Sequence, residues 1–121
     1  MTEQPYELAM SVARALYNKK AENIEILKVD HLTSITDYFV IASGRGVQAV
    51  HALYEEITDR LAEMGVQPRR SDGVRDSRWI VLDYASVIVH IFHPDERQYY
   101  NIERLWMDGS NRVQFVPEEA V

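Results

Sequence analysis

The stretch "RWIVLDYASVIVHIF", residues 78–92, decides the fold. Two apolar runs flank the short break "DYAS", which predicts a β-hairpin. Alternate residues of a strand face opposite sides. Trp79, Val81 and Asp83 therefore share one face, and Ile80, Leu82 and Tyr84 the other. The second set suits a core covered by helices. The first ends in an ionisable group, and a carboxylate is rarely fully buried unless it is paired. Two readings are open. Either Asp83 caps the hairpin turn and Trp79 is core, or the Trp79–Asp83 row is a partly exposed sheet face that binds a protein, since Trp and Tyr are favoured interface anchors.

Upstream of the hairpin, Pro5 suits the first turn of a helix. Leu8, Val12 and Leu16 with Ala9 and Ala13 continue its apolar stripe to about residue 20. "NIEILKV" (23–29) alternates as a half-buried strand. "DYFVIAS" (37–43) is unbroken apolar chain, as in a strand covered on both faces. After "GRG", Val47, Val50, Leu53, Ile57, Leu61 and Met64 recur at helical spacing, and Gly65 is placed to end the helix. A strand, a helix and a further strand predict a right-handed crossover with parallel pairing. "VQPRRS" (66–71) is the third strand, put at an edge by Pro68. Pro94, Asp95 and Glu96 open a last helix, acidic at its positive end. Tyr99, Ile102 or Glu103, and Trp106 line it before "DGSN" (108–111), and the tail offers only a short strand at 113–116 beyond the main five. The expectation is one α/β domain over residues 1–121, core about 5–108, with a mixed five-stranded sheet flanked by helices.

Composition narrows the functions. The 121 residues hold no cysteine, which excludes disulfides, thiolate metal sites and a cysteine nucleophile and fits a reducing cytoplasm. "MTEQPYELAM" has no signal-peptide pattern, and no apolar run approaches the ~20 residues of a membrane span. A formal charge of -6 disfavours broad nucleic-acid binding and favours a basic protein partner.

The candidate chemical sites are weak. His90 and His93 form an H-x-x-H, but residues three apart on a strand face opposite ways and no acidic cluster completes a zinc shell. His90 reads as a satisfied core histidine, and His93 as the start of the last helix. "ASGRG" (42–46) invites a phosphate-loop reading, yet it lacks the full motif; a sharp turn into a helix capped by Ser43 explains it equally well. The loop "RRSDGVRDSR" (69–78) could brush a phosphate backbone or simply be solvated. Asp30, Asp37, Asp72, Asp76 and Asp83 are scattered, and no nucleophile, base and oxyanion donor assemble.

Taken together, "TSITDYFVIASG" (33–44), the hairpin 78–92 and "RQYYNIERLW" (97–106) resemble the ribosomal silencing factor family, also called Iojap-like, over residues 8–108. The chain departs from the family's usual pattern at Ala85-Ser86 (usually Gly-Asp), Asp72 (usually Glu) and Ser77 (usually Gly). The resemblance implies a nucleotidyltransferase-like core without catalytic residues and no cofactor. It implies a translational repressor that binds the large ribosomal subunit through its protein fourteen and blocks joining of the small subunit. Contact with ribosomal RNA would be at most peripheral. Apart from the resemblance, an open aromatic face left without its partner makes an isologous homodimer a possible form of the free protein. The contact residues expected on the resemblance are Trp79, Val81, Asp83 and Tyr84 of the hairpin, with Arg78 and Asp37. The alternative is a nucleotide-binding or nucleotidyl-transferring enzyme with the turn 43–46 as phosphate cradle and Asp37 and Asp83 as metal ligands.

Overall fold

The computed structural model of the protein describes residues 4–117; the ends of the expected 1–121 domain lie outside the described residues. The elements are α1 (Pro5–Asn18), β1 (Glu22–Lys28), β2 (Tyr38–Ser43), α2 (Val47–Glu63), β3 (Arg70–Asp72), β4 (Trp79–Asp83), β5 (Val87–Phe92), α3 (Pro94–Tyr100), α4 (Ile102–Trp106) and β6 (Arg112–Val113). The strands form one mixed sheet in the order β3-β4-β5-β2-β1-β6.

Local chemistry explains the helix ends. Pro5 opens α1, whose fixed φ is already helical. Gly44 lets β2 run straight into α2: a Cβ there would lie 2.8 Å from the Val50 nitrogen, so any side chain would force helix and strand apart. At the far end Gly65 adopts φ +80. Its N–H donates to the Ala62 carbonyl and that of Val66 to Leu61, a Schellman ending that satisfies two terminal carbonyls.

Leu8, Val12, Leu16, Val50, Leu53, Ile57 and Leu61 of α1 and α2 pack on Ile80, Leu82, Val87, Val89 and Ile91 of the sheet, forming the larger of two apolar clusters. On the opposite face Leu27, Phe39, Ile41 and Phe92 form a smaller cluster covered by Ile102 and Trp106 of α4. The sheet is thus a middle layer, which is why β2 is buried along its whole length.

Three expectations are corrected. The strand after α2 does not pair with β2. The parallel partner of β2 is β5, in register from Tyr38↔Val87 to Ser43↔Phe92, while β3 pairs antiparallel with β4 at the sheet edge. β5 is apolar on both faces and takes the interior place; β3 is fully exposed and begins only after Pro68, at Arg70. Second, the last helix is two short ones. Asn101 adopts the left-handed conformation (φ 48, ψ 52) between them, which Asn tolerates better than most residues. The break lets Arg97 bond Glu103 at 2.7 Å and turns Trp106 onto the sheet. Third, the sheet has a sixth strand, Arg112–Val113, paired with β1 at Leu27 and Ile26, slightly earlier than the tail strand expected. Asn111 sets its position by donating to the carbonyls of Lys28 and Trp106.

Candidate functional site

The β4–β5 register sets Trp79 opposite Phe92, Val81 opposite His90 and Asp83 opposite Ile88. Burial along β4 alternates as its sequence does: Ile80 and Leu82 are wholly buried toward α1 and α2, while Trp79, Val81 and Asp83 are half-buried on the other face. Tyr84 does not join them. It is 6% exposed within the larger cluster, and burial pushes its phenol up to about 12. Tyr84 is therefore corrected from contact residue to core.

Trp79 lies between two rings. It stacks on Phe92 at 4.8 Å and 27°, and Tyr100 of α3 leans on it at 4.8 Å and 42°. Its indole Nε1 donates to His90 Nδ1 at 3.1 Å. Beyond Tyr100, Tyr99 is 81% exposed and meets it edge-on at 4.9 Å. In α4, Leu105 is also exposed, at 77%. Sequence periodicity placed Tyr99 inside the last helix, and it missed Tyr100 and Leu105. The double tyrosine beside Asn101 was the available signal, because a helix broken there cannot bury both rings.

Charge surrounds the patch. Arg78 Nε donates to Glu96 Oε2 at 2.6 Å, and this bond holds the Glu96 carboxyl below the usual carboxylate range. Asp83 accepts from the Ala85 N–H at 2.8 Å and pairs with Arg69 at 3.2 Å. The turn-cap reading of Asp83 is thus what the structure shows, and its charge already has a partner. Asp37 stands two strands away from β4, its N–H donating to the Ser86 carbonyl.

The groups needed for nucleotide chemistry are kept apart. Asp37 and Asp83 sit at the hairpin-turn end of the sheet, whereas the turn 43–46 lies at the other end of β2, roughly 20 Å away at ~3.3 Å per residue. Ser43 does not cap α2; that N-cap is Gly46, without a side-chain bond. Ser43 Oγ instead accepts from Arg97 at 2.9 Å. His93 caps α3, with Nδ1 accepting from the Asp95 N–H at 3.1 Å. Among the described residues no group of three or more His, Asp or Glu is placed to hold a metal, and no helix is long and apolar enough to cross a membrane. His90 is buried as expected but only half satisfied: its Nε2 has no hydrogen-bond partner among the described residues.

The described residues form an α/β domain with an aromatic surface of Trp79, Tyr100 and Tyr99 on one face of the sheet, and among them no cluster is placed to hold a metal. The family described as "Ribosomal silencing factor during starvation" matches residues 2–120, and the chain belongs to it. A protein named ribosomal silencing factor RsfS from Bacillus subtilis is 41% identical over 80% of this chain and 82% of its own. The maize chloroplast protein Iojap is 31% identical over 81% of this chain and 42% of its own. Among solved structures, a Chromobacterium violaceum protein superimposes with TM-score 0.84 at 31% identity, covering 94% of this chain and 93% of that one. A Bacillus halodurans protein gives 0.80 at 34% identity, covering 91% and 99%.

Proposed function

We propose that this protein is a non-enzymatic ribosomal silencing factor that binds protein fourteen of the large ribosomal subunit and, by occupying that site, keeps the small subunit from joining. The observation that carries the reading is the surface made by half-buried Trp79 with Tyr100 against it and exposed Tyr99 against Tyr100, close in the chain to exposed Leu105 of α4. Folding alone gives no reason to keep three aromatic rings in contact at the surface, and such patches mark interaction sites. Aromatic anchors beside a desolvated centre are the usual carriers of binding energy. The paired charges of Arg78–Glu96 and Asp83–Arg69 form a polar rim, and the overall charge of -6 favours a basic partner in the cytoplasm over RNA.

Family membership and the names of the relatives support the ribosomal assignment. Val81 shares the Trp79 face of β4 and lies opposite His90, whereas Asp37 lies at the other, hairpin-turn end of the sheet; Trp79 and the α3 tyrosines are the centre of this surface. Without its partner the same patch favours an isologous homodimer. Co-sedimentation with separated subunits tests the proposal. The protein is expected to travel with large subunits, to bind isolated protein fourteen, and to lose both on Trp79→Ala. Equal binding to small subunits, or to large subunits lacking protein fourteen, overturns it.

A further inference from the structure

Trp79 and His90 are not direct partners in the ladder: Trp79 faces Phe92 and His90 faces Val81. The indole therefore leans along the diagonal to reach His90 Nδ1 at 3.1 Å. Filling this place needs only an apolar side chain. An imidazole that is 8% exposed, with Nε2 unpartnered among the described residues, carries a desolvation cost that Leu or Phe would not. What the other nitrogen does accounts for the choice. An indole nitrogen can only donate, so Nδ1 must accept, and the neutral ring carries its proton on Nε2. Burial keeps the ring neutral, lowering its pKa to about 4. Phe39 meets the imidazole edge-on at 5.1 Å and 88°, and Phe92 lies nearly parallel to it at 13°. The ring has one plane and one tautomer.

We infer that His90 is a positioning residue for the docking surface: its Nδ1 fixes the Trp79 indole in the orientation that stacks on Phe92, packs against Tyr100 and is presented to the partner. This rests on the docking role of Trp79 proposed above. An indole fixed in advance loses less freedom on binding than one still turning about its χ angles, so the effect belongs to affinity and not to the fold alone.

Three variants test it, with melting curves taken in parallel and affinity expressed per folded molecule. His90→Phe keeps a ring and removes the acceptor. His90→Asn keeps an acceptor close to the Nδ1 position. Trp79→Phe assigns the Trp79 indole N–H resonance and supplies the second arm of a cycle. The indole proton of H90F is expected to shift and to exchange faster, and its affinity for large subunits to fall about fivefold, the size of one net hydrogen bond. H90N is expected to recover part of both. In the W79F background, His90→Phe should change affinity no further. An unmoved indole resonance in H90F, or an equal affinity loss with and without Trp79, overturns the positioning role. Undiminished binding by Trp79→Ala overturns the docking surface and the positioning role together, whereas loss at Trp79 with none at H90F overturns the positioning role alone.

Discussion

Asp83 and Ala85 together make the β4–β5 turn: the Ala85 N–H donates to Asp83 Oδ1 at 2.8 Å while Ala85 itself sits at φ +73. The carboxylate holds a conformation that alanine disfavours. Left-handed backbone costs a residue with a Cβ ~1–2 kcal/mol, and glycine escapes most of it.

Ala85→Gly is therefore expected to stabilise the protein by about 1 kcal/mol, read as a rise in Tm. Asp83→Ala is expected to cost about 1 kcal/mol through the lost turn bond. Asp83→Asn, which keeps an oxygen for the Ala85 N–H and loses the ion pair to Arg69, should fall between. If Asp83 also meets a basic partner, Asp83→Lys will weaken subunit binding beyond its effect on stability, because reversal adds repulsion where neutralisation only removes attraction. Equal affinities for Asp83→Lys and Asp83→Asn confine Asp83 to the turn.

Tyr99→Ala and Leu105→Ala separate docking from folding more cleanly than any change at Trp79. Both side chains are more than three-quarters exposed, so each substitution should leave stability within about 0.5 kcal/mol. Loss of an anchor from a desolvated patch costs roughly 1–2 kcal/mol or more of binding. The expected pattern is weaker co-sedimentation at unchanged Tm. Unchanged binding by both variants would move the interface off α3 and α4.

His90 makes the fold acid-sensitive. Its pKa is held down to about 4 by burial, against 6.5 in the unfolded chain, so between these values the unfolded state takes up the proton and the native state does not. Stability therefore falls as pH drops through this window, by about 3 kcal/mol across it. His31 acts in the opposite sense: its bond to Asp108 raises its pKa, so its contribution is complete below 6.5 and fades as pH rises through its folded value. Denaturant melts of wild type and His90→Phe at pH 7 and pH 4.5 isolate the first effect. The variant should lose distinctly less stability on acidification; parallel losses would show that His90 does not bear the proton penalty.

The sequence made β4 legible because a period of two is local: Trp79, Ile80, Val81, Leu82 and Asp83 state their own faces. Helix α2 was equally plain, with a stripe of one period and Gly65 to end it. What stayed hidden was set by contacts distant in the chain. That β2 pairs with β5 across a gap of more than forty residues depends on which strands are apolar on both faces, and no local window compares them. The break at Asn101 was missed because one left-handed residue leaves no periodic trace, and with it went the exposure of Tyr99 and Leu105. Ser43 was read as a helix cap because its neighbours are turn formers; its partner, Arg97, lies 54 residues away.

The last prediction concerns how binding would silence a ribosome. If the protein acts as proposed, by occupying space on the large subunit, its inhibition should be stoichiometric with large subunits and should need no nucleotide. It should also depend on the order of addition. Mixed first with free large subunits, the protein is expected to suppress formation of whole ribosomes. Added to assembled ribosomes, it should act only as fast as they come apart, because a passive competitor cannot reach a covered site. Excess small subunits should restore joining, as mass action requires when two ligands exclude each other. Sucrose-gradient profiles in both orders, with Trp79→Ala as control, read all three. Rapid splitting of intact ribosomes, or full inhibition at amounts far below one protein per large subunit, would require an active mechanism and overturn simple occlusion.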